Sequence, residues 1–236
     1  MTGTLVPLLR LDATLLARHG VVAAVAVVTA TWAGLLAALP PTIRADLAAP
    51  ALYLDAAIVG LLFLGGMVLI ERRQGSLEAL AVAPVRPATY VASKVASLTV
   101  LALAATAVIV VVARPGTVRW AALLAGVLLL SVPVLLFALV VVARAATVTG
   151  YLFGLQGPLL PAALPLVVTA GWLPSWSGWL SPTHGPYLLL RAGVGGPLPS
   201  PTATVAAVLG AVVTSVVLGR LAVVRVSRDL LRAGRL

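Results

Sequence analysis

The sequence predicts an all-α integral membrane protein: six transmembrane helices, an N-terminal amphipathic interfacial helix and a short cytoplasmic coupling-type helix between the second and third spans. Three observations lead there. The 236 residues are 61% hydrophobic and 9% charged with mean hydropathy +1.15, far from soluble usage. Six apolar stretches each approach the roughly 20 residues that cross a hydrocarbon core. The basic residues gather on alternate connections, as retention on the cytoplasmic side requires.

The N-terminal segment forms the first element. Residues 5–19 placed on a helix gather Leu5, Leu8, Leu9, Leu11, Leu15 and Leu16 on one side, opposite Arg10, Thr14 and Arg18, the pattern of a helix lying in the membrane interface. Asp12 and His19 fall inside the apolar arc, where an unpaired charge is costly. Asp12 is therefore expected to hold a protein partner, with Arg72 or Arg73 as candidates; the alternative is a carboxylate reaching water at the interface. The first apolar run lacks an A-x-A-type cleavage site and reads as a retained span.

The spans fall at about 20–39, 51–70, 91–113, 120–142, 149–170 and 201–222. Connections are short apart from 71–90 and 171–200, so residues 20–236 read as one membrane domain behind a 1–19 interfacial segment. With both termini inside, twelve Lys and Arg residues are cytoplasmic, and Arg44, Arg114, Arg119 and Arg191 are outside. That asymmetry fixes the orientation: a multi-pass protein of the plasma membrane, with 71–90 cytoplasmic and 171–200 external.

Composition also excludes functions. The net charge of +10 suggests nucleic acid, but the basic residues sit at the ends of apolar runs without a stacking platform, so nucleic acid is not an expected partner. There is no cysteine and hence no disulfide or thiolate site. His19 and His184 lie on opposite sides of the membrane and build no metal site; His184 reads as a solvated loop histidine. No G-x-x-x-x-G-K-[ST] run is present, so the chain cradles no ATP phosphate by that device. No nucleophile–base or paired-carboxylate arrangement lies at bilayer depth, so an enzyme is not expected.

Ionisable groups within spans are functional candidates by default. Asp55 lies about four residues, roughly 6 Å of helix, into the second span. It either lines the outer half of a substrate path, favouring a cationic or zwitterionic solute, or pairs at the outer interface with Arg44; the second is the favoured reading. In the fifth span Gly150 and Gly154 form a small-xxx-small pair, followed by Gly157, Pro158, Pro161 and Pro165. This predicts close packing at the inner end, within the chain or between subunits, and a kink further out. Trp172, Trp176 and Trp179, spaced by four and three, predict a short helix in the outer interface.

The 71–94 segment, ERRQGSLEALAVAPVRPATYVASK, carries five charged side chains before Tyr90. Gly75 frees the backbone to leave the second span, Ser76 is a candidate N-cap, and Glu78 suits the positive end of a helix dipole. Leu77, Leu80 and Ala81 give a two-turn helix an apolar edge; Pro84 stops it and Pro87 starts the next helix. The segment reads equally as an ordinary loop with positive-inside arginines or as a docking element. The order E-x3-G-x-L-E-x5-P-x5-Y-x3-K, on Glu71, Gly75, Leu77, Glu78, Pro84, Tyr90 and Lys94, resembles the segment after the second span in permeases of type-2 ABC exporters. Ser76 stands where that family often has Thr. LVPLLRLD at 5–12 and SPTHGPYLLL at 181–190 are similar to the actinobacterial fluoroquinolone export permeases.

The resemblance implies a permease subunit that exports an amphipathic small molecule, a fluoroquinolone or another drug. It places the coupling to a separate ATP-binding subunit at Glu71, Gly75, Ser76, Leu77, Glu78, Leu80 and Pro84. It further implies ATP and Mg held by that partner and not by this chain, and a second permease subunit, identical or homologous, near the fifth span. It implies re-entrant helices before the last span. The alternatives are an ion-coupled secondary transporter, which needs midplane carboxylates that these spans do not place there, or a membrane scaffold component.

Overall fold

A computed structural model describes residues 5–75 and 86–233. Helix α1 (Leu5–Arg18) ends at Gly20, whose φ of 72° turns the chain into α2 (Val21–Ala38); glycine adopts this left-handed conformation without steric cost. The second span is α3 (Pro41–Ile58), a π turn (Val59–Phe63) and α4 (Leu64–Arg73). Then come α5 (Pro87–Ala113), α6 (Trp120–Val142), α7 (Val148–Thr169), a 3₁₀ turn (Ser175–Leu180), α8 (His184–Gly193) and α9 (Pro201–Ala233). The described residues contain no strand. Among them five helices are long and apolar enough to cross a membrane, and the bent α7 makes six when counted as one span.

The second span is longer than the 51–70 expected. Pro41–Arg73 is 33 residues, about 50 Å of helix against a core of about 30 Å. Arg44, Asp46 and Pro50 lower the hydropathy of its outer turns without ending the helix; Pro41 occupies the first turn, where its missing N–H costs nothing, and Pro50 lies within the helix. Arg44 also binds the segment in place, donating to the carbonyls of Ala37 (2.9 Å), Leu39 (2.8 Å) and Ala113 (3.0 Å). Those carbonyls lie at the C-terminal ends of α2 and α5, where the helix has no internal partner for them. The last helix likewise runs on past the expected residue 222 to Ala233.

The fifth span is bent by 52° between Val148–Gly157 and Leu159–Thr169, where the Pro158, Pro161 and Pro165 series interrupts the helical ladder. The predicted kink is present. Within the chain the glycines pack unequally: a Cβ on Gly154 would meet Val141 Cγ1 at 2.8 Å and one on Gly150 the Oγ1 of Thr147 at 3.3 Å, whereas Gly157 has nothing within 4 Å. Gly150, Gly154 and Gly157 are exposed in this chain.

The 171–200 region departs from a surface loop. Gly171, with φ of 79°, ends α7, and Pro174 starts the 3₁₀ turn, so Trp172 is separated from Trp176 and Trp179 instead of sharing one helix with them. All three indoles are exposed. Helix α8 then inserts between α6 and α9. Glycines make the fit: an added Cβ at Gly126 would stand 2.8 Å from Leu190 N, at Gly193 2.7 Å from Leu123 Cα, and at Gly185 2.4 Å from Ala207 Cβ. His184, expected in solvent, is 5% exposed. It packs edge-on to Trp179 at 5.1 Å and against Gly178.

In the second span, a Cβ at Gly65 would lie 2.1 Å from Tyr151 Cε1. The missing side chain lets the Tyr151 ring cross α4 and donate its hydroxyl hydrogen bond to the Leu61 carbonyl in the π turn.

Two outcomes are expected. Gly65→Ala should destabilise the protein by about 1–3 kcal/mol through overpacking, with Gly65→Ala/Tyr151→Leu recovering part of that loss, read as thermal unfolding in detergent. Burial holds the His184 pKa below 6.5, so the unfolded chain takes up the proton more readily than the folded one. The stability from the neutral ring is complete above pH 6.5 and is lost as pH falls through the lowered folded value. Unfolding curves from about pH 7.5 to about pH 5 should show that loss, reduced in His184→Gln.

Candidate functional site

Three helices meet at the end of the bundle predicted to be cytoplasmic. Tyr90, Ser93 and Lys94 occupy one face of the first two turns of α5, since residues three and four apart on a helix are neighbours. That face packs against α1. Asp12 projects from α1 on the stripe of Leu8 and Leu16, all three buried, and Glu71 from the last turn of α4.

Lys94 Nζ joins both acids. It lies 2.5 Å from Asp12 Oδ1 and pairs with Glu71 Oε1. Ser93 donates to the other Asp12 oxygen, and Tyr90 OH donates to Glu71 Oε2 at 2.9 Å. All five groups are at most 4% exposed. Every carboxylate oxygen therefore has a donor, the condition under which buried charges are tolerated.

The expected partners of Asp12 were Arg72 or Arg73; the partner is Lys94. The reason lies at α6, whose terminal carbonyls recruit Arg72: its guanidinium donates to Ala145 O at 2.8 Å and Val142 O at 3.4 Å. A second link runs beside the first. His19 Nδ1 binds Leu15 O at 2.9 Å and its Nε2 meets Gln74 Nε2 at 3.1 Å, so the ring donates to the carbonyl and accepts from the amide. Arg10 and Arg18 are exposed, on the face expected to meet headgroups; Leu11, placed in the apolar arc, is 49% exposed.

The chain leaves α4 at Gly75 with φ of 71° and re-enters α5 at Pro87 after an extended Arg86. Ser76, Leu77, Glu78, Leu80 and Pro84 lie outside the described residues. What is described is their mounting: both ends of the segment are tied, through Glu71 and through Tyr90 and Lys94, to one buried charge cluster.

A second feature lies deeper. A cavity of about 150 Å³ is lined by Leu61, Pro133, Phe137, Pro161, Thr183 and Leu218 among others, and is almost wholly apolar. Three helix irregularities surround it: the π turn, Pro133 within α6, and the bend of α7. Tyr53 braces its wall, its hydroxyl 2.6 Å from Ala162 O and 2.8 Å from Thr183 Oγ1.

Asp55 differs from both expectations. It follows Pro41 by fourteen residues, about 21 Å of helix, and so lies near the middle of the 33-residue span and not near its outer end. Arg44 is occupied by carbonyls and does not pair with it. Asp55 is 0% exposed, neither carboxylate oxygen has a hydrogen-bond partner, and it lines neither this cavity nor a larger outer one. Among the described residues no group of His, Cys, Asp and Glu could hold a metal ion.

A bundle of membrane-crossing helices with a small apolar cavity at its kinks is a polytopic membrane protein. The chain belongs to the fluoroquinolones export permease protein family, whose model matches residues 3–232. Two curated relatives, the fluoroquinolones export permease proteins of Mycobacterium tuberculosis strains CDC 1551 / Oshkosh and ATCC 25618 / H37Rv, are each 31% identical over 189 residues, 80% of this chain and 80% of theirs. No solved structure matches the chain at a significant level.

Lys94→Met should be the most damaging change in the charge cluster. It leaves two buried carboxylates without their shared cation, a loss of about 3–5 kcal/mol, whereas Tyr90→Phe removes one charge-assisted bond and costs about 1.5–3 kcal/mol. Thermal unfolding of the purified variants should rank them in that order.

Proposed function

We propose that this chain is the membrane subunit of an ATP-driven ABC exporter and that residues 75–83 are the coupling element on which a separate ATP-binding subunit sits. In this reading the partner holds ATP and Mg, and the cargo is an amphipathic drug of the fluoroquinolone kind, the substrate named for the relatives. Residues 1–19 act as the connecting helix and 20–236 as the permease domain. A second permease subunit, identical or homologous, completes the path, with the exposed glycines Gly150, Gly154 and Gly157 on α7 as its contact.

The observation that carries the proposal is the Asp12–Lys94–Glu71 cluster. A loop without a mechanical role needs no buried ionic anchor at both of its ends. Because the cluster joins α1, α4 and α5, force applied to the 75–83 segment moves three helices together. An ATPase that binds two arrangements of those helices unequally shifts their populations by that difference.

One observation favours a second reading. Asp55 is a buried carboxylate near mid-span, the group an ion-coupled secondary transporter requires. The two readings separate in proteoliposomes: the ABC reading expects vanadate-sensitive, ATP-dependent transport with the co-purified ATPase, and the ion-coupled reading expects transport driven by an imposed proton gradient alone. Glu78→Arg should abolish both co-purification of the ATPase and vanadate-sensitive transport. Retention of both would remove residues 75–83 as the coupling element.

A further inference from the structure

The end of the bundle opposite the charge cluster contains a cavity of about 850 Å³, bounded by the start of α3, the 115–117 turn, the end of α7, α8 and the 194–197 turn. Its volume suits a drug-sized ligand, and it is mixed in character where the inner cavity is apolar. Asp46 from α3 and Arg191 from α8 both line it, with Thr169, Tyr187 and apolar Leu47 and Leu166.

The two charges are available. Of the other arginines at this end, Arg44 is committed to three carbonyls, Arg119 donates to Ala192 O at 3.0 Å and Gly196 O at 2.9 Å, and Arg114 does not line the cavity. Arg191 makes no side-chain hydrogen bond or ion pair among the described residues, and neither does Asp46. They are therefore not paired with each other across the cavity. The Gly196 backbone approaches Arg191 closely, since a Cβ there would stand 2.8 Å from its Cγ and 2.7 Å from its carbonyl oxygen.

Tyr187 closes the floor. Tyr187 is 0% exposed and its ring meets Tyr53 edge-on at 5.5 Å, yet its hydroxyl lacks a hydrogen bond of good geometry. Thr169 is the hydrogen-bonding neighbour of that hydroxyl, and Arg191 reaches it electrostatically.

We propose that this outer vestibule binds a small zwitterion: its ammonium faces Asp46, its carboxylate faces Arg191, and its apolar body lies on Leu47 and Leu166. A pure cation or a pure anion finds a partner in only one of the two lining charges and so binds more weakly than a zwitterion that satisfies both. The proposal deepens the exporter reading by naming the charge type of the cargo at the outer side, and it rests on that reading for its place in transport.

The test uses the full chain in nanodiscs and equilibrium binding of three probes: ciprofloxacin, its carboxylate methyl ester and its N-acetyl derivative. Asp46→Asn should weaken ciprofloxacin and the ester by about five- to tenfold and leave the N-acetyl derivative unchanged; Arg191→Gln should weaken ciprofloxacin and the N-acetyl derivative by a similar factor and leave the ester unchanged. The proposal is overturned if the wild type shows no saturable ciprofloxacin binding, if both variants bind ciprofloxacin within twofold of wild type, or if each variant weakens all three probes alike. Transport by the wild type with its ATPase is measured in parallel. ATP-dependent export without the crossed pattern removes the vestibule site and leaves the exporter reading; the crossed pattern without such export does the reverse.

Discussion

One ammonium group organises the inner end of this protein. Lys94 stands between Asp12 and Glu71, on three different helices, and its removal strands two carboxylates away from water. The local geometry follows from that constraint. Helix α1 lies with Asp12 inward although this turns Leu11 outward, and α5 begins early enough at Pro87 for Tyr90, Ser93 and Lys94 to share a face. Arg72 is released to serve the terminal carbonyls of α6. An apolar cluster of similar volume would hold these helices with less desolvation. The ionic version sets one register, because a slip by one residue on any helix breaks it.

The outer end is held differently. There the fit depends on absent side chains: Gly126, Gly185 and Gly193 let α8 lie against the backbones of α6 and α9, and Arg44 and Arg119 close helix ends onto neighbouring segments. Close backbone approach of this kind is the usual basis of helix association in lipid, where there is no hydrophobic drive between helices.

Much of this was legible in the sequence, and what was missed follows a physical pattern. Hydropathy located the spans because the bilayer demands apolar length, but it cut the second one short: a helix that emerges from the core through Arg44 and Asp46 is still a helix. The amphipathic arc marked Asp12 as needing a partner. It could not choose Lys94 over Arg72, since that choice depends on which carbonyls compete for the arginine in three dimensions. His184 and α8 read as loop because Pro and Gly around them signal turns, whereas these glycines are packing surfaces. Asp55 was visible as an ionisable group in a span, but its depth depended on where the helix starts. Family resemblance pointed to the permease class independently of all of these.

The middle of the molecule is built unlike either end. At the level of the small cavity, the π turn of the second span, Pro133 and the bend of α7 fall together, so three neighbouring rods are each interrupted at one height. Regular helix resists bending because every turn is hydrogen-bonded to the next, and interrupted helix does not. A bundle clamped by charge below and by backbone contact above has its softness collected into a single belt. Any change in shape that the two clamps permit is thereby directed to the one layer where a guest in mid-passage would need room.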